Sequence, residues 1–141
     1  MNPRHGMSVI VYDNNGGLYF LIFRRNTSER KWQFLRKLLQ FNEDAHDVIP
    51  QLIEKVAGIK TYKLKERLTF EINVVENDEV IQNTVFFVEA SMNVPVHMSK
   101  EKMRAVTYLW TQESGVADKL SESDRNLFHQ AVAHLKARLE Q

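Results

Sequence analysis

Carboxylates and cations gather in the first half of the chain, and their spacing is what could do chemistry. Glu43, Asp47 and Glu54 stand four and seven residues apart. On one continuous helix they would share a face, where their oxygens could hold a hard divalent cation. Pro50 interrupts that face and Glu43 falls before the apolar run, so a solvated acidic face is the simpler expectation. Arg24, Arg25, Arg30, Lys31, Arg36 and Lys37 crowd one segment with Glu29 as its single acid, and Lys60, Lys63, Lys65 and Arg67 follow. Side chains of this kind either grip phosphate through charge-assisted hydrogen bonds or face water. Trp32, Phe34, Tyr62 and Phe70 could stack on a base, although aromatic residues in strands are commonly core.

Other chemistry is excluded by what is missing. The chain has no cysteine, so thiol nucleophiles, Cys-ligated zinc, iron–sulfur clusters and disulfides are ruled out. It carries no G-x-S-x-G elbow, no phosphate-cradling glycine loop and no H-E-x-x-H. The five histidines are scattered, and His129 and His134 are too far out of helical phase to act as a metal pair. Lys plus Arg number 19 against 18 for Asp plus Glu, so binding to nucleic acid or membrane would need a local patch.

The elements that must position these residues can be read from periodicity. The 141 residues suit one domain, expected over residues 1–141, with a core large enough to fold without a staple. Residues 8–12 and 18–25 are β-rich runs around Asp13-Asn14-Asn15-Gly16-Gly17, a hairpin signal. A short strand is expected over residues 31–35. Val48, Ile49, Leu52, Ile53 and Val56 make a helical stripe over residues 47–57, which Gly58 would stop. Long strands follow over residues 62–75 and 80–91, separated by a turn at Asn77-Asp78, and another over residues 105–110. A short helix fits within residues 111–120. Ser121 with Asp124 resembles a capping box opening an amphipathic terminal helix. The order predicts an α/β (α+β) fold with a mixed sheet. No targeting signal or membrane-length apolar run is present, which suggests a cytoplasmic protein.

Residues 32–59 resemble the Nudix box of nucleoside diphosphate-X hydrolases. The family pattern is G, five residues, E, seven residues, then R-E-U-x-E-E-x-G-U, with U apolar. With Gly58-Ile59 as its end, the box spans about residues 37–59, its early glutamate is Glu43, and its inner apolar position is Ile53. The layout is most similar to the diadenosine-tetraphosphatase-like, MutT-type branch, where Trp32 and Arg36 match a W-x-x-P-K-G run. The resemblance implies a Nudix-like α/β/α sandwich. In that family the box-helix glutamates hold divalent metals that polarise a pyrophosphate and activate water. Here the arginine position is Gln51, the three glutamate positions are Leu52, Lys55 and Val56, and the opening glycine is Lys37.

These departures imply a degenerate box. No metal or other cofactor is expected, and Mg²⁺ or Mn²⁺ enters only if hydrolysis persists. Leu52 and Val56 extend the apolar face set by Val48, which is core in most helices and otherwise docks a partner. The leading expectation is a binding module that takes a nucleotide, an RNA or a protein in the former groove. Arg24, Arg25, Arg36, Lys37 and Lys55 would meet phosphates, and Trp32, Leu52, Val56 and Phe70 would line the groove or partner face. One alternative is a divergent hydrolase of nucleoside polyphosphates built on Glu43 with Glu89, Glu101 or Glu113. Another is a structural subunit of a larger assembly.

Overall fold

In the computed structural model, residues 4–24, 31–76, 78–97 and 107–140 are described. Arg25, Arg30, Asn77, Glu101 and the start of the strand expected at residue 105 lie outside them. The elements are β1 (Arg4–Asn14), β2 (Leu18–Arg24), β3 (Trp32–Gln33), β4 (Leu35–Leu38), α1 (Ala45–Pro50) and a π-helical segment (Gln51–Val56). They continue as β5 (Lys63–Arg67), β6 (Ile72–Glu76), β7 (Glu79–Glu89), β8 (Thr107–Gln112), α2 (Glu113–Lys119) and α3 (Glu122–Leu139).

The hairpin forms where the sequence signals it. Gly16 and Gly17 take φ of 70° and 145°, which side chains resist, and Asn14 pairs with Leu18. Two long strands, β1 and β7, lie parallel from Arg4↔Ile81 to Tyr12↔Glu89 at the centre of an eight-stranded sheet of the described residues. Each shares its outer edge between two antiparallel strands. β4 and β2 divide the edge of β1, while β6 and β5 divide the edge of β7. β8 pairs with β2 on its far side. Alternating residues of β1 serve two cores. Met7, Val9 and Val11 pack under α1 and the π segment, whereas Ile10 and Tyr12 pack under α2 and α3. The fold is therefore a mixed sheet between two helical layers. None of the described helices is long and apolar enough to cross a membrane.

Several expected boundaries shift for identifiable reasons. The strand expected over residues 31–35 divides into β3 and β4 at Phe34. Its backbone N–H donates to the buried Asp124 carboxylate at 3.2 Å instead of to a ladder. The strand expected over residues 62–75 breaks into β5 and β6. Leu68 turns into the core, its N–H bonding the Val85 carbonyl, and residues 69–71 leave the ladder. The expected capping box is half formed. Ser121 Oγ accepts from the Asp124 N–H at 3.4 Å, but Ser121 N–H is taken by the Trp32 carbonyl at 3.3 Å. The side chain of Asp124, which is 2% exposed, instead serves Phe34 and Arg36.

Candidate functional site

The helix expected over residues 47–57 begins earlier and changes character midway. Asp44 caps it, its carboxylate accepting from the His46 N–H at 2.9 Å. Pro50 has no N–H to give and its ring crowds the preceding turn, so the α pattern ends there. The next turn widens to π geometry, with Ala57 N–H bonding Leu52 O at 3.0 Å. Gly58 then stops the helix at φ 69°. A side chain on Gly58 would collide with residue 97, because an added Cβ would lie 1.9 Å from the His97 carbonyl oxygen. The loop after β7 is thus laid directly on the helix end, and its Val94 and Val96 pack on the same core cluster as Val56.

Three residues on this helix decide what the site can hold. Leu52 is 7% exposed and packs in the cluster that includes Val48, Ile53, Phe86 and Val88. Val56 is half-buried against that cluster, and Lys55 is exposed. Two alkyl side chains and an ammonium offer no oxygen ligand for a divalent cation. The nearby acids do not compensate. Glu43 is bound by the Lys37 ammonium and by the Gln40 N–H, the latter at 3.0 Å. The Lys37 hydrogen bond first, then Gln40, holds the Glu43 carboxyl below the usual glutamate range. Asp47 is exposed in the first turn. Glu54 accepts from the Tyr62 hydroxyl at 2.7 Å, and burial followed by this bond pushes the Tyr62 phenol up to about 12. Glu113 pairs with Lys136 at 3.1 Å in the opposite helical layer. Glu89 stands across from Tyr12, whose phenol is raised to about 12 by burial and then by Glu89. Among the described residues, no three or more His, Asp or Glu side chains come together as metal ligands would.

The basic and aromatic candidates are also dispersed. Arg36 and Lys37 are neighbours in β4 and diverge to opposite faces of the sheet. Lys37 turns to Glu43, and Arg36 turns to Asp124 of α3 at 3.5 Å. The guanidinium of Arg24 lies 5.3 Å over the Trp32 ring, and Trp32 packs on the cluster beneath α2 and α3. Phe70, 43% exposed, sets its ring against His134 of α3. Of the candidates, Lys37, Glu43, Leu52, Lys55 and Val56 belong to the box-helix side, while Arg36, Trp32 and Phe70 belong to the α3 side.

The architecture has clear counterparts among solved structures. An Ap4A hydrolase binary complex from C. elegans matches with a TM-score of 0.75 at 11% identity, covering 95% of this chain and 98% of that one. The NUDIX domain of Shewanella oneidensis NrtR, complexed with ADP ribose, matches with a TM-score of 0.69 at 11% identity, covering 96% and 90%. The chain has the Nudix fold. The C-terminal domain of mouse MUTYH, in complex with human PCNA, also matches, with a TM-score of 0.66 at 13% identity over 96% and 91%. No protein-family model and no curated protein matches the sequence. The box resemblance puts its helix on α1 and the π segment. The donor set on that helix does not fit the divalent metals that the box resemblance implies.

Proposed function

We propose that this chain is a Nudix-fold binding domain in which metal-dependent hydrolysis has given way to metal-independent capture of an anionic nucleotide. The observation that carries the reading is the burial of Leu52 in the sheet–helix core, at a position where the box pattern puts a metal-binding glutamate. A carboxylate needed for metal would have to be lodged where an alkyl group now packs. Lys55 supports the binding half of the reading. It is exposed and has no acidic partner among the described residues, so its ammonium is available to a phosphate. Lys37 neutralises Glu43, the one box carboxylate that remains, so that acid opposes an incoming phosphate less. The NUDIX domain complexed with ADP ribose offers a precedent for the ligand class.

Calorimetry with ADP-ribose and ATP tests this directly. The expected affinity is the same in EDTA as in Mg²⁺. Lys55→Ala should weaken it about tenfold, the scale of one charge-assisted hydrogen bond. Binding that appears only with Mg²⁺ contradicts the reading. A second reading, a divergent hydrolase of nucleoside polyphosphates, is favoured by the retention of Glu43 and by the Ap4A hydrolase among the structural neighbours. It requires metal ligands from outside the box helix.

A further inference from the structure

Just beyond the end of the box helix, one strip of the surface concentrates positive charge. Lys60, Lys63, Lys65 and Arg67 lie within eight residues that contain a single acid, Glu66, while the chain as a whole is nearly neutral. All four cations are exposed. None forms an ion pair with an acid among the described residues, although Lys63 stands across the ladder from Glu89. Two of the acids that could neutralise the strip are engaged elsewhere. Glu66 turns to α3, where it meets His134 at 3.3 Å and Arg138 at 3.5 Å. Glu54 accepts from Tyr62. The register of β5 shifts between Leu64 and Glu66, so Lys65 falls at a bulge. Arg67 is steadied over the Phe86 ring at 6.0 Å. Among the described residues β5 bonds only to β7, which leaves its outer edge open.

We propose that β5 and the turn before it form a binding strip for the phosphodiester backbone of single-stranded nucleic acid, separate from nucleotide capture at Lys55. Charge complementarity along an extended element favours this occupant. Four cations gathered along one open edge, with Lys63 on the face of Glu66, Arg67 on the Phe86 face and Lys65 at the bulge between them, match a flexible polyanion that follows the edge better than a protein surface of mixed charge. Lysines on an open edge also discourage strand-to-strand pairing. That role is met by Lys63, Lys65 and Arg67 of β5 and does not account for Lys60 in the turn before it.

The test is fluorescence anisotropy with a labelled oligouridine of about 20 nucleotides, enough to cover a strip-sized site. Four phosphate contacts imply a slope near −2.8 in log affinity against log salt, or about a 50-fold loss between 50 and 200 mM. The double variant Lys63→Ala/Lys65→Ala should halve that slope, to about a sevenfold loss, and weaken binding at 50 mM salt. Lys119→Ala/Lys136→Ala removes the same charge from the α2–α3 layer and should leave affinity nearly unchanged. Absence of binding at 50 mM salt overturns the proposal and leaves edge protection as the role of the lysines. Equal weakening by both variants also overturns it, because the effect would then be one of net charge. Calorimetry with ADP-ribose on the same variants separates the two sites. The strip variant is expected to bind ADP-ribose normally, and Lys55→Ala to bind oligouridine normally.

Discussion

Leu52→Glu, which writes a box carboxylate back into its family position, is expected to destabilise the protein by about 3 kcal/mol or more, a loss of the size that follows from burying an unpaired charge. Leu52 is 7% exposed and packs with Val48, Ile53, Phe86 and Val88. The new carboxylate would lose its hydration and meet only alkyl and aromatic carbon. It would also remove apolar contacts that by themselves are worth about 2–5 kcal/mol in a Leu→Ala change. For a chain of this length the melting temperature should fall by roughly 10 °C. Lys55→Glu is the comparison, since Lys55 is exposed and its substitution should stay within about 0.5 kcal/mol. Thermal unfolding in EDTA and in Mg²⁺ reads both variants. A near-neutral Leu52→Glu that Mg²⁺ stabilises would mean that this face is an open metal site and not core.

Gly58→Ala is the second large effect expected, at about 3 kcal/mol. Two costs combine. A φ of 69° strains any L-residue with a side chain by about 1–2 kcal/mol. The added methyl would also lie 1.9 Å from the His97 carbonyl oxygen, so the backbone of the loop after β7 must lift. Gly16→Ala separates these contributions. Gly16 has φ 70° and nothing within 4 Å of the position a Cβ would take, so its substitution pays the conformational strain alone, about 1 kcal/mol. Denaturant unfolding of the two variants should therefore differ by roughly 2 kcal/mol, with faster amide exchange at residues 92–97 in Gly58→Ala alone. Equal losses in the two variants would show that the contact of the loop with the helix end contributes nothing.

How far the sequence reaches is clearest at particular residues. The Asp13–Gly17 turn, the helix stop at Gly58 and the apolar stripe from Val48 to Val56 rest on local chemistry, and each is where periodicity puts it. The split at Phe34 depends on a carboxylate 90 residues away, which no local pattern announces. The π turn follows from Pro50, whose missing N–H was visible, but the choice between a kink and a widened turn is made by packing. At the site, the retention of Glu43 was legible while its engagement by Lys37 was not, since that contact needs the chain to reverse through Asn42 at φ 70°. The divergence of Arg36 and Lys37 could have been found. Adjacent residues of a strand face opposite sides, so the two could not both line one groove. Asp124 was read only as a cap partner, yet it joins α3 to both Phe34 and Arg36.

The most direct measurement of the central claim is pyrophosphohydrolase activity. Purified protein would be assayed with nucleoside triphosphates, dinucleoside polyphosphates and ADP-sugars in Mg²⁺ or Mn²⁺, with Glu43→Gln alongside to expose contaminating enzymes. The expected result is no turnover above background and no difference between the two proteins. Turnover that Glu43→Gln abolishes would contradict it, because it would mean a working metal centre assembled around Glu43 without the carboxylates of the box helix.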